Sequence, residues 1–308
     1  MKAFLVALMF ASGTPALTQT HVWEPSPGHI QVPIWPSTVP DAQPLSGPEY
    51  MEKVGNEPPG AVVAGKVSQP TMTVYSPSAK NTGAAVVVFP GGGYWTLYMD
   101  LEGTEPCDWL TSQGITCVLL KYRVPGKDSP PRSGPYPTSP MALEDAQRTL
   151  GLVRFHAAEW HINPQKIGVL GFSAGGHLVA AVSTNYEKRL YAPVDAADKE
   201  SCRPDFAIAL YPGHMQQHTS NNYDLNPYVP VTKLTPPTFI VQAEDDPIDP
   251  VQNSLVYYMA LKEAGVPAEM HLYAHGRHGF GLRPSAEFPI TEWPHLAETW
   301  LRTIGVTQ

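Results

Sequence analysis

Short, nearly unbroken apolar runs alternate in this chain with segments of helical spacing, and that alternation limits the fold more than any other feature. Residues 84–89, 115–122, 206–211 and 237–242 carry few polar side chains and no clean period-two pattern. Runs of this length and composition read as strands buried on both faces. Residues 71–75 alternate and are β-branched, and residues 166–171 and 268–273 complete the strand set. Helical stretches are predicted over 101–112, 141–162, 174–183, 251–264 and 290–304. Such alternation implies an α/β fold, with a mostly parallel central sheet flanked by helices. Ligands of open α/β sheets sit beyond the carboxyl ends of the strands, so the chemistry is expected there.

The rest of the chain divides by composition. Residues 1–18 begin Met1-Lys2, continue through an apolar run to Ala11 and end in small residues, which reads as a signal peptide. A secreted or periplasmic mature protein follows from that reading. Residues 19–70 are rich in Pro, Ser and Gly and are expected to form an extended Pro-rich N-terminal arm. Residues 71–308 form the main domain. No stretch reaches the ~18 apolar residues of a membrane span. A net charge of −8 with no basic cluster argues against nucleic acid as a partner. Proline is abundant, 34 of 308 residues, and gathers in the arm and in two long connections, 123–140 and 212–236. Connections of this length suit the rim of a binding site. Cys107, Cys117 and Cys202 include no CxxC pair, so no metal site is expected. Cys117 lies in an apolar run and reads as a buried small hydrophobe; a Cys107–Cys117 bridge is one possibility, but three unpaired thiols are the preferred expectation. The oligomeric state is left open.

Four motifs follow the strands. Gly171-Phe172-Ser173-Ala174-Gly175-Gly176 links strand 166–171 to helix 174–183. A serine on that turn, with small neighbours, is a candidate nucleophile exposed above the sheet. A hydroxyl needs a base. His278, between glycines in Gly276-Arg277-His278-Gly279-Phe280-Gly281, is preferred over His275. The base needs an acid, and Asp246 in Glu244-Asp245-Asp246-Pro247-Ile248-Asp249 follows strand 237–242; Asp249 reads as a cap for the next helix. Phe89-Pro90-Gly91-Gly92-Gly93-Tyr94 supplies backbone N–H groups, and Gly92, Gly93 and Ala174 are the candidate oxyanion hole. Tyr94, Trp95, Tyr211 and His214 are candidates for the substrate pocket. His214 and His218 stand four apart but have no carboxylate motif beside them, so a metal pair is not the preferred reading.

These motifs, in the order Ser173…Asp246…His278, resemble those of α/β-hydrolase carboxylesterases. The likeness runs over about residues 30–305 and points to the secreted acetyl-xylan and feruloyl esterase branch related to the hormone-sensitive-lipase clan. It implies the α/β-hydrolase fold and an acyl-enzyme mechanism without metal or cofactor. It also implies a short-chain or carbohydrate-linked ester as substrate, small-molecule or polysaccharide-borne, with acetyl and feruloyl groups as examples. Pro90 stands where the clan's HGGG loop has histidine, and residues 19–70 do not read as a helical cap, so a small cap or none is expected. A prolyl-oligopeptidase-like serine peptidase and an inactive hydrolase-like binding protein are the alternatives.

Overall fold

The structure, a computed structural model, describes residues 21–29, 31–55, 60–127, 134–217 and 223–307. The expected signal peptide, residues 1–18, and His218 lie outside them. In chain order the elements are β1 (Gln31–Pro33), β2 (Tyr50–Lys53), β3 (Val62–Gly65), β4 (Thr71–Tyr75), β5 (Ala85–Phe89), β6 (Thr96–Tyr98), α1 (Glu105–Ser112), β7 (Thr116–Lys121), α2 (Met141–Phe155) and β8 (Ile167–Phe172). They continue with α3 (Ala174–Thr184), β9 (Phe206–Leu210), β10 (Thr238–Ala243), α4 (Gln252–Glu263), β11 (Ala268–Tyr273) and α5 (Trp293–Thr303).

Eight strands form the main sheet in the order β1-β4-β7-β5-β8-β9-β10-β11. The six from β7 to β11 run parallel, while β1 and β4 pair antiparallel at one edge. Every residue of β5, β7, β8, β9 and β10 is buried, as their apolar composition requires. The central strands β5, β8, β9 and β10 all deliver their carboxyl ends to one edge, which becomes the floor of the site.

The N-terminal arm contributes more structure than its composition suggests. It supplies β1 to the main sheet, and β2 and β3 pair with β6 in a small antiparallel sheet. Trp35 anchors it. Its ring lies buried between the Arg123 and Arg148 guanidinium groups, at 6.0 and 5.8 Å. Its Nε1–H donates to Asp145 at 2.8 Å. Asp145 also receives the Arg123 Nε–H at 2.9 Å, and Arg148 donates to the Ile34 carbonyl at 2.9 Å. Arm and domain together thus supply hydrogen bonds to a buried charge cluster.

Three helix boundaries differ from the sequence reading by three residues or more. The predicted helix 141–162 stops at Phe155, and the Ile162 N–H closes back on the Ala157 carbonyl at 2.7 Å. His161 is left-handed (φ 55°) just before Asn163-Pro164, and the residue before a proline disfavours helix. The helix expected from 290 begins at Trp293, with Pro294 in its first turn and a 3₁₀ turn at Pro289–Glu292 ahead of it. The helix expected from 101 opens as a π turn, Asp100–Thr104, before α1.

The expectation of three unpaired cysteines is overturned. Cys107 on α1 and Cys117 on β7 form a disulfide with a Cα–Cα separation of 5.2 Å. The tight turn between the two elements folds α1 directly onto β7, so two apolar-facing cysteines ten residues apart meet in the core. Cys202 is buried and free.

Candidate active site

The turn from β8 to α3 is tight enough to need glycine on both sides of Ser173. A Cβ on Gly171 would lie 2.2 Å from the Gly175 carbonyl oxygen, and one on Gly175 would lie 2.0 Å from that of Phe89. Ser173 itself adopts φ 52°, ψ −118°. Backbone in so sparse a region costs ~1–3 kcal/mol and is held by its surroundings. Here the Ser173 N–H donates to Leu210 O at 3.0 Å, and Ser173 O accepts from His177 N–H, also at 3.0 Å.

Above the turn, the Ser173 hydroxyl reaches His278 Nε2 at 3.0 Å, and His278 Nδ1 reaches Asp246 Oδ2 at 2.8 Å. Asp246 is itself fixed. Its Oδ1 accepts from the Ile248 and Asp249 N–H groups at 2.8 and 2.9 Å, and its Oδ2 from Gln242 Nε2 at 3.2 Å. Asp245 acts on the neighbouring loop instead. Its Oδ1 accepts from the Gly276 and Arg277 N–H groups, tethering the segment that carries His278. His275, the rival base, pairs with the other oxygen of Asp245 and is largely exposed. Burial pulls the His278 pKa down, but the Asp246 hydrogen bond and the charges of Asp246, Asp249 and Glu102 outweigh it and hold it above the usual 6.5.

The glycine loop after β5 lies against Ser173. Gly92 has φ 131°, and a Cβ there would sit 2.0 Å from the Thr96 carbonyl oxygen. Among the described residues no protein group accepts from the N–H of Gly92, Gly93 or Ala174. Pro90 is held from below, its carbonyl accepting the Tyr122 hydroxyl at 2.6 Å.

Glu102, which the sequence reading placed on a helix without a role, is buried under the site. Its Oε2 accepts the Gly91 N–H at 2.8 Å and its Oε1 accepts the Tyr211 hydroxyl at 2.7 Å. Burial raises its pKa, against those two hydrogen bonds and the charge of His278. The Tyr211 ring in turn packs edge-on against His278, centroids 4.9 Å apart. One carboxylate therefore braces both the oxyanion loop and the base. Asp249, read as a helix cap, is not one: α4 has no side-chain cap, and the Asp249 carboxylate turns to Ser173 Oγ at 3.3 Å.

The four pocket candidates separate. Trp95 and His214 line a cleft of about 1030 Å³ that opens over Ser173 and His278. Tyr94 and Tyr211, expected beside them, are buried beneath it. Tyr94 Oη bonds His177 Nδ1 at 2.7 Å, and Tyr211 serves Glu102 and His278. Burial and the nearby His214 lower the His177 pKa to about 3, so this ring stays neutral. The remaining apolar wall comes from Tyr98, Leu101, Phe280 and Phe288, and Lys127, Arg277 and Arg283 stand at the cleft. A smaller depression of about 560 Å³ lies among residues 186–202, apart from these groups. No cluster of His, Cys, Asp or Glu suited to a metal ion occurs among the described residues, and none of their helices is long and apolar enough to cross a membrane.

The chain is similar to several known proteins. The prolyl oligopeptidase family matches residues 144–287 and the BD-FAE family residues 72–212. An acetylxylan esterase of Xylanibacter ruminicola is 36% identical over 211 residues, 65% of this chain and 42% of that protein. Endo-1,4-beta-xylanase B of Butyrivibrio fibrisolvens is 30% identical over 63% of this chain and 32% of its own length. The chain thus spans less than half the length of either relative. Among solved structures, an acetyl ester-xyloside bifunctional hydrolase from Caldicellulosiruptor lactoaceticus is 33% identical, covers 91% of this chain and 97% of its own, and superposes with a TM-score of 0.71. With that structure matched along almost its whole length, and the two family matches overlapping across the Ser173 turn, the chain belongs to the α/β-hydrolases.

Proposed function

We propose that the protein is a serine carboxylic-ester hydrolase acting on acetyl esters, with acetylated carbohydrate as its substrate class. The observation that carries this is the continuous line Asp246–His278–Ser173, at 2.8 and 3.0 Å, ending beside the glycine loop and the Ala174 N–H at the start of α3. Ser173 Oγ attacks the ester carbonyl while His278 Nε2 takes its proton, and Asp246 holds the ring's tautomer and the imidazolium that forms. The N–H groups of Gly92, Gly93 and Ala174 stabilise the oxyanion, each such donor being worth ~3–4 kcal/mol. His278 then protonates the leaving alcohol, and water resolves the acyl-enzyme by the reverse path.

The acetyl and carbohydrate assignments draw support from the acetylxylan esterase and acetyl ester-xyloside hydrolase relatives. A feruloyl ester is the finer alternative, for which the aromatic wall of Trp95, Tyr98 and Phe280 offers room. The prolyl oligopeptidase match favours a second reading, amide hydrolysis by the same three residues. Acetate release from acetylated xylan, with methyl ferulate, p-nitrophenyl acetate and a prolyl peptide amide in parallel, separates these. Dominant turnover of the amide would replace the esterase reading. Export, carried by residues 1–18, is part of the proposal, and the N-terminal residue of protein recovered outside the cytoplasm checks it.

A further inference from the structure

A second carboxylate stands beside the nucleophile, on the His278 side. Asp249 Oδ2 lies 3.3 Å from Ser173 Oγ and 3.9 Å from His278 Nε2. Its position is built. Its N–H donates to Asp246 Oδ1 at 2.9 Å, and its carbonyl accepts Gln242 Nε2 at 3.0 Å, so the main chain is clamped by the network that holds Asp246. Gly213 makes room for the side chain: a Cβ there would sit 2.5 Å from Asp249 Oδ1. Burial first, and then the charge of Asp246, hold the Asp249 carboxyl above its ordinary pKa, against the facing His278 and the Ser173 hydroxyl.

In either half of an acyl-transfer cycle, the oxygen that leaves or attacks must lie within hydrogen-bond reach of His278 Nε2 and about 3 Å from the acyl carbon borne on Ser173. Asp249 Oδ2 borders that same point. A water molecule attacking there has two protons. One goes to His278 Nε2 as the bond from water oxygen to acyl carbon forms. The other stays on that oxygen and leaves with the product acid, and during the attack it needs a hydrogen-bond acceptor. When the tetrahedral species collapses, the bond from the acyl carbon to Ser173 Oγ breaks, and His278 returns its proton to Oγ. An attacking alcohol has one proton, given to His278, and places carbon where the second would be.

We propose that Asp249 orients the hydrolytic water through that second proton and so commits the acyl-enzyme to hydrolysis rather than to transfer onto alcohols. The inference rests on Ser173 being acylated as described under Proposed function. The test is product partition: wild type, Asp249→Asn and Asp249→Ala turn over p-nitrophenyl acetate in water with a fixed fraction of methanol, and methyl acetate and acetate are counted. The ratio is independent of how much enzyme is active, so partial misfolding of a variant does not alter it. The expected result is a methyl acetate to acetate ratio raised ~10-fold in Asp249→Ala, the scale of one lost hydrogen bond to a charged group. Asp249→Asn, which keeps an acceptor oxygen, falls between. An unchanged ratio in both variants, whatever happens to kcat, overturns the proposal. Undiminished turnover by Ser173→Ala would instead remove the acyl-enzyme on which it rests.

Discussion

Replacing Glu102 by glutamine removes a charge without removing volume, and it strikes the oxyanion loop and the base together. The Gly91 N–H and the Tyr211 hydroxyl both end on this one buried carboxylate, at 2.8 and 2.7 Å. A hydrogen bond to a charged group contributes ~1.5–3 kcal/mol, and a buried donor left without an acceptor costs ~1–3 kcal/mol. Glutamine keeps one acceptor oxygen for one of the two donors and turns its NH₂ toward the other. One bond is therefore weakened and one lost, for a destabilisation of ~2–4 kcal/mol. At ~2–4 °C per kcal/mol for a large domain, the thermal midpoint falls by ~4–16 °C. The catalytic effect is separate. A loosened Gly91 lets Gly92 and Gly93 drift from the oxyanion, and a complete donor loss costs ~10²–10³ in kcat, so a partial loss is set at ~10–10². The assay pairs thermal unfolding followed by circular dichroism with steady-state hydrolysis of p-nitrophenyl acetate. A Glu102→Gln protein with the wild-type midpoint and wild-type kcat refutes the claim that this carboxylate braces the site.

Other consequences can be measured as directly. Trp35→Ala empties the space between Arg123 and Arg148 and frees an Asp145 acceptor, and chemical denaturation should show a loss of ~3–5 kcal/mol with the arm no longer docked. Opening the Cys107–Cys117 bridge in a Cys107→Ala/Cys117→Ala variant should cost ~2–3 kcal/mol, the loop-closure value for a ten-residue separation. His278 must be neutral to act as base, and Asp246, Asp249 and Glu102 hold its pKa above 6.5. Activity should therefore rise with pH through a half-point above 6.5, and the acid limb of kcat/KM should move to lower pH in Asp249→Asn.

The core strands could be read from the chain because β5, β8, β9 and β10 are buried on both faces and so lack polar residues almost entirely. Ser173, His278 and Asp246 were legible for a related reason: each lies in a short motif just past a strand, and strand ends converge in a parallel sheet. What escaped depends on distance through space. Glu102 sits in a stretch with no motif, and its role arises only when the chain brings Gly91, 11 residues before it, and Tyr211, 109 residues after it, to its two oxygens. Asp249 looked like a helix cap because it stands next to a Pro-started helix. Its neighbour Asp246 takes its N–H, and that bond swings the carboxylate toward Ser173. Tyr94 and Tyr211 were assigned to the pocket wall by their nearness to the motifs, whereas burial turned both hydroxyls inward to His177 and Glu102. The arm's strands are three or four residues long, too short for period to reveal them among prolines. The disulfide needed a Cα separation that only the packing of α1 on β7 supplies.

The whole mechanism turns on Ser173 carrying the acyl group. Rapid acid quench of enzyme turning over p-nitrophenyl acetate, followed by peptide mass spectrometry, tests it. The expected result is one acetyl group on the peptide containing Ser173, a matching burst of p-nitrophenol, and neither in folded Ser173→Ala. An acetyl group on another residue, or a full burst in Ser173→Ala, would contradict it.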